Sequence, residues 1–216
     1  MNTNQHFGLR IMMFICGIAC MTFGIALSCK ADLGTSPISS VPLVLSMCTP
    51  LSVGIITIIM NFAFIAVQPL LLRAFYWREL LGQVILTVPF GYSIDLFMWV
   101  LQDVNTETQL EKWAACLISI AVLAFGVFLE VRAKIFFAAG EGMVNVLTFI
   151  SRKNFSMVKN GFDITLVVIS VVISLLEFST LRGVGLGTVA AAVLVGRMIY
   201  LYEKYLHFFD RWKVKA

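Results

Sequence analysis

Two stretches of this chain place glycine and polar residues where a buried helix would begin. The first runs Lys30-Ala31-Asp32-Leu33-Gly34-Thr35-Ser36-Pro37. Gly34 permits a tight turn, Thr35 or Ser36 is a good N-cap, and Pro37 suits the first helical position. A helix N-terminus presents free N–H groups and a partial positive charge, so this stretch can hold an anion or a carboxylate group. The second runs Ala138-Ala139-Gly140-Glu141-Gly142-Met143-Val144-Asn145. Its two glycines flank a carboxylate in the first turn of a short helix. That carboxylate favours the helix dipole. Within an apolar segment it is also costly, which points to a cationic group or a proton as its partner. The binding set read from these stretches is Gly34, Thr35, Ser36, Gly140, Glu141, Gly142 and Asn145.

Asp95 and Arg197 lie inside other apolar runs. Charges within a membrane pair with one another or face the interior. An Asp95–Arg197 ion pair serving as a gate or relay is therefore expected. Asn61 and Asp163 are weaker candidates, with Asp163 expected to pair with Lys159, and Glu130 is read as interfacial at the end of its span. No Ser/His/Asp set, HExxH motif, aspartate pair or nucleotide loop occurs. The histidines are His6 and His207, one near each terminus. Cys16, Cys20, Cys29, Cys48 and Cys116 form no Cys-x-x-Cys pair and read as small buried hydrophobes. Neither an enzyme, a metal nor a cofactor is expected.

The elements that must position these residues follow from composition. Hydrophobic residues make up 60% of the 216-residue chain and charged residues 13%, with a mean hydropathy of +0.93. Soluble domains carry roughly 25% charged residues. The lipid bilayer is thus the solvent, and no soluble basic face exists for nucleic acid. A span needs about 20 mostly apolar residues. Five runs meet this plainly: 9–28, 51–72, 80–101, 113–129 and 162–178. A sixth, 185–206, does so despite Arg197. Two shorter runs, 36–47 and 136–150, are too short to cross and read as re-entrant or half-spanning helices. The fold class is an all-α membrane protein of about six transmembrane helices plus two short ones.

Basic residues orient the spans. With the N-terminus in the cytoplasm, Arg10, Arg73, Arg78, Arg132, Lys134, Arg152, Lys153, Lys159, Lys204, Arg211, Lys213 and Lys215 fall inside, and Lys30, Lys112 and Arg182 fall outside. This bias predicts that both termini are cytoplasmic. Arg211-Trp212-Lys213 reads as an interfacial anchor.

The pattern repeats. Phe23-Gly24-Ile25-Ala26-Leu27 is echoed by Phe125-Gly126-Val127-Phe128-Leu129 at an offset of 102, and Gly82 to Ile94 by Gly187 to Ile199 at an offset of 105. The difference predicts a short insertion near 139–142. The chain divides into a first repeat, 1–105, and a second, 106–216, each with three spans and one short helix. An odd number of spans forces the second repeat to lie inverted, an architecture recurrent among secondary transporters.

At Ala31-Asp32-Leu33-Gly34-Thr35-Ser36-Pro37, and again at Gly140-Glu141-Gly142 with Asn145, the chain resembles the bacterial YczE/YyaS/YitT-like membrane proteins. The first stretch is similar to that family's A-x-L-G-T-S-P, with Ile38 where an aromatic residue is common. The resemblance covers most of the chain and implies a multi-pass protein of the bacterial cytoplasmic membrane. It implies no substrate. The architecture predicts a secondary transporter or permease for a small polar solute, anionic or zwitterionic. The site would lie between the two short helices, and the small size leaves room for a homodimer. The alternative is a non-transporting scaffold or regulatory partner of another membrane protein.

Overall fold

A computed structural model describes residues 7–206. The Arg211-Trp212-Lys213 anchor lies outside the described residues. Eight helices follow in order: α1 (Phe7–Lys30), α2 (Pro37–Cys48), α3 (Val53–Leu72), α4 (Trp77–Val100), α5 (Gln109–Ala133), α6 (Ala139–Ser151), α7 (Phe155–Phe178) and α8 (Leu186–Tyr205). All except α2 and α6 are long and apolar enough to cross a membrane, which gives six spans among the described residues. The short helices have 12 and 13 residues, a rise of about 18–20 Å against a hydrocarbon core of about 30 Å.

Local chemistry sets several of the boundaries. Ser36 is the N-cap of α2 with Pro37 at the first helical position, and Gly34 turns the chain at φ +92°. Ser52 caps α3 by accepting from the Ile55 N–H at 3.1 Å. A reciprocal capping box between Thr108 and Glu111 opens α5. Lys134, Arg152 and Ser179 end their helices in the left-handed conformation. The second short helix starts at Ala139, three residues later than its apolar run, because 134–138 is non-helical chain leading to its tip. Helix α7 starts at Phe155, not Phe162. Hydropathy passes over its first two turns, which carry Lys159, but an ion pair from Lys159 to Asp163 at 2.8 Å joins them to the apolar turns that follow.

Helix starts recur at a fixed spacing. Phe7 and Gln109, Pro37 and Ala139, and Val53 and Phe155 are each 102 positions apart. The spacing survives past 139–142, where the sequence reading expects a short insertion, to the start of α7. Helices α1 and α5 form the central crossing and run antiparallel, with the Arg10 side chain donating to the Ala133 carbonyl at 2.9 Å at one end. At the other end the Thr106 hydroxyl donates to the Lys30 carbonyl at 3.2 Å. We call these the Arg10 end and the Lys30 end of the bundle.

The crossing is close because glycine lines it. A β-carbon on Gly24 would lie 2.9 Å from the Ser119 carbonyl oxygen, and one on Gly126 would lie 2.7 Å from the Gly17 carbonyl oxygen. These contacts are reciprocal, since Gly24 and Gly126, like Gly17 and Ser119, are 102 apart. Small residues allow such approach where lipid supplies no hydrophobic drive. Gly126→Leu should therefore overpack the crossing, at about 1–3 kcal/mol. Its melting temperature in detergent should fall by several degrees. Gly161→Leu, at a position with open space around it, should melt like wild type.

The two halves interlock. Helix α2 packs on α7, and α6 packs on α3, so each short helix sits against a long helix of the other half. Ser40 and Ser170 hydroxyls meet at 2.7 Å in the first of these contacts. The halves differ at one seam. Helix α3 packs along α4, where Gly54 and Gly91 are in direct contact, while α7 and α8 barely touch. The positions corresponding to Gly54 and Gly91 at offsets of 102 and 105 are Ser156 and Gly196, and a β-carbon on Gly196 would meet nothing within 4 Å.

Cys116 is buried as expected of a small hydrophobe. Cys16 and Cys48 are exposed, on helix faces turned away from the protein core.

Candidate functional site: a cavity between two half-helix tips

The N-terminal tips of α2 and α6 meet inside the bundle, where Gly140 has room for Ile38 and for no side chain of its own. Beside them is a cavity of about 310 Å³, lined by Ser36, Ile38 and Ser39 of the first tip and by Ala138, Gly140 and Glu141 of the second. Helix α3 adds Thr57 and Asn61, and α7 adds Lys159, Asn160 and Asp163. At about 30 Å³ per water this is room for roughly ten waters.

The lining is paired by position. Ser36 and Ala138, Ile38 and Gly140, Ser39 and Glu141, Thr57 and Lys159, and Asn61 and Asp163 are each 102 apart. One wall therefore carries hydroxyls and an amide, and the corresponding wall carries a carboxylate, an ammonium and a second carboxylate. Ser36, Ser39, Thr57 and Asn61 are all at most 6% exposed. Exposed residues of the lining (Phe155, Ser156, Asn160, Ala192 and Gly196) lie on α7 and α8, so the cavity opens through the loose seam between those helices.

Each charge is held differently. The Lys159 ammonium donates to both Asp163 carboxylate oxygens, at 2.8 and 3.0 Å. Glu141 presents its side chain to the cavity, and its Oε2 is sealed from solvent without a hydrogen-bond partner. Behind it stands Glu130 of α5, which is 1% exposed. Its Oε1 accepts from the Ala138 N–H at 2.8 Å, so a side chain from α5 caps α6. Its Oε2 is also buried without a partner. Glu130 is thus no interfacial residue: its face of α5 turns inward onto the tip of α6. In the first half the corresponding contact is made by Ser28, whose hydroxyl lies 2.5 Å from that of Thr35.

Three of the seven residues in the sequence-derived set, Ser36, Gly140 and Glu141, line this cavity. The other four lie elsewhere. Thr35 is fully buried and turned toward Ser28. Gly34 packs against the start of α8, where a β-carbon would lie 2.5 Å from the Gly185 nitrogen. Gly142 packs against Gln83. Asn145 is exposed and lines a separate cavity of about 760 Å³ at the Arg10 end, because one helical turn carries it about 6 Å from Glu141. A further cavity of about 500 Å³, lined by Asp32, Gly34 and Arg182 among others, lies at the Lys30 end. Thr57 and Lys159 were missed as cavity residues, and Asn61 and Asp163 were ranked low. Extending the 102-residue offset from the glycine motif into α3 and α7 would have aligned all four.

The Asp95–Arg197 pair does not form. Asp95 instead caps α3, accepting from the Ser52 hydroxyl at 2.5 Å and the Gly54 N–H at 2.8 Å. Arg197 is exposed on α8. Free N–H groups at a helix start are the nearer and better oriented partner for a carboxylate. Asp95→Ala should cost about 0.5–2 kcal/mol, as loss of a cap does, and Arg197→Ala should cost less. Thermal melts of both variants and of the double should show additive effects; strong coupling between the two sites would restore the ion pair.

Six apolar spans around a largely apolar cavity with polar groups at two half-helix tips define a multi-pass α-helical membrane protein. The chain belongs to the family described as a family of unknown function, DUF6198, whose model matches residues 8–204. It is similar to the Uncharacterized membrane protein YczE of Bacillus subtilis (strain 168), at 24% identity over 196 residues, covering 90% of this chain and 86% of that protein. The resemblance drawn from the two glycine-bearing stretches is therefore to the right family. No solved structure matches the chain.

Proposed function

We propose that the protein is a secondary carrier for a small polar solute, with the cavity between the α2 and α6 tips as its binding site. One observation carries this reading. A cavity of about 310 Å³ sits where two broken helices meet, and its polar lining comes from matched positions of the two halves. Backbone that is not helical at membrane depth is tolerated where it lines a cavity, and carriers built from inverted repeats bind at that place. The antiparallel α1–α5 crossing and the recurrent helix starts support inversion of the second half. The difference between the closed α3–α4 seam and the loose α7–α8 seam supports two interchangeable states. On this reading the Arg10 end is cytoplasmic and the cavity is open toward it.

The lining favours a zwitterion. Lys159 is already neutralised by Asp163, so Glu141 is the free charge and calls for a cationic group. The α2 tip, with Ser36 and Ser39, offers hydroxyls and N–H groups to an anionic or polar end.

The test is a thermal-shift screen of purified protein against small zwitterionic, anionic and cationic solutes, followed by uptake of any hit into liposomes. A bound solute raises apparent stability by mass action, by about 2.7 kcal/mol at 100 times its Kd. Ser39→Phe, which fills the cavity, should lose the shift. A well-folded wild type that no solute stabilises at millimolar concentration would favour the scaffold reading instead.

A further inference from the structure

The Glu130–Glu141 contact is larger than solute binding needs. Glu130 does not line the cavity, is 1% exposed, and spends one oxygen on the Ala138 N–H. Its other oxygen and Glu141 Oε2 are both sealed and unpartnered. Glu130 bonds the N–H of the residue that caps α6 and Glu141 is in the first turn of that helix, so the two carboxyl groups converge, each with one buried oxygen that meets no donor. Two neighbouring carboxylates in a dry site cannot both stay charged cheaply, and sharing one proton relieves the repulsion. The groups around the pair do not remove the need. Lys159 of α7 lines the same cavity as Glu141, but it is committed to Asp163. Arg132, on α5 itself, stands over the Phe128 ring at 5.0 Å. Arg10 of α1 reaches the Ala133 and Lys134 carbonyls. On α4, Arg78 and Glu79 line the 760 Å³ cavity, and Arg197 and Glu203 of α8 are exposed. Helix α3 carries no charge.

We propose that Glu130 and Glu141 together bind one exchangeable proton, making the junction of α5 and α6 a proton site; its use in coupling rests on the carrier reading. The proton sits on one carboxyl oxygen while the other group remains carboxylate, so the pair carries one negative charge. Glu141 faces the cavity and Glu130 lies behind it. A proton arriving from the cavity is therefore taken up by Glu141 and shared inward. With that proton gone, repulsion would press on the Ala138 cap that seats the α6 tip.

Infrared difference spectra of the purified protein test this at neutral pH. Wild type should show a carboxylic-acid C=O band that moves on exchange into D₂O. The band should be lost in the Glu130→Gln/Glu141→Gln double variant and retained in Glu177→Gln, which alters an exposed carboxylate. Absence of the band in wild type, or its survival in the double variant, overturns the proposal. So does stabilisation by sodium over choline at fixed ionic strength that disappears in the double variant, since a metal cation would then occupy the site. The wild-type band and its deuterium shift need no variant to fold. A solute that stabilises wild type without the band sinks the proton site alone, and the band without any solute sinks the carrier reading alone.

Discussion

Glu141→Gln is expected to abolish solute-dependent stabilisation while leaving the protein folded and inserted. The substitution keeps size and hydrogen-bonding capacity, and removes the cavity carboxylate that makes no ion pair among the described residues. Truncating or neutralising one partner of a buried charge pair costs about 2–5 kcal/mol of binding. At about 3 kcal/mol the affinity falls on the order of 100-fold, enough to erase a thermal shift measured near the wild-type Kd. The fold should not suffer. The α6 tip is capped by Glu130 through Ala138 at 2.8 Å, and the variant leaves that bond in place. Unliganded Glu141→Gln should melt no lower than wild type, because a sealed carboxyl oxygen without a partner contributes nothing favourable. A variant that keeps the shift would remove Glu141 from the site; one that no longer folds would make it a structural residue.

The second large effect concerns the loose seam. If the halves exchange conformations, α7 and α8 must close at Ser156 and Gly196 as α3 and α4 are already closed at Gly54 and Gly91. A disulfide needs β-carbons about 3.5–4.5 Å apart. A β-carbon on Gly196 has no neighbour within 4 Å in the present state. A Ser156→Cys/Gly196→Cys protein, with the five native cysteines replaced, should therefore cross-link only as the seam closes. Thiol labelling should follow the reaction, and cross-linked protein should lose uptake of the screened solute altogether. Reduction should restore uptake. Uptake that continues after complete cross-linking would show that this seam does not need to move.

Much of the fold was legible in the sequence because lipid imposes a simple rule. Long apolar runs must be helices, and Pro37 after Gly34 marks the start of α2 without help from tertiary structure. The site was legible only at its tips. Glu141 stood out as a charge within an apolar stretch, but Lys159 fell in a basic loop before the apolar run at 162–178, and Asp163 at the start of that run read as its interfacial partner. Glu130 was misread for a related reason. Its position at the end of a span says nothing about which face of α5 it occupies, and only the packing turns it onto Ala138. Asp95 was read as needing a cation, when the free N–H groups at the start of α3 were the partner. Hydropathy reports depth along a helix; it does not report direction around one.

The interlocking of the halves sets a timetable for making the protein. Ser40 on α2 meets its hydroxyl partner only when Ser170 of α7 is in place. Helix α2 ends at Cys48 and α7 begins at Phe155, so about a hundred residues must leave the ribosome in between. At about 5–20 residues per second that takes roughly 5–20 s. Through that interval the nascent chain holds a half-helix too short to cross the bilayer and without its α7 contact. Helix α3 is its partner in that interval, and a product truncated before α7 keeps the Ser40 face of α2 uncovered.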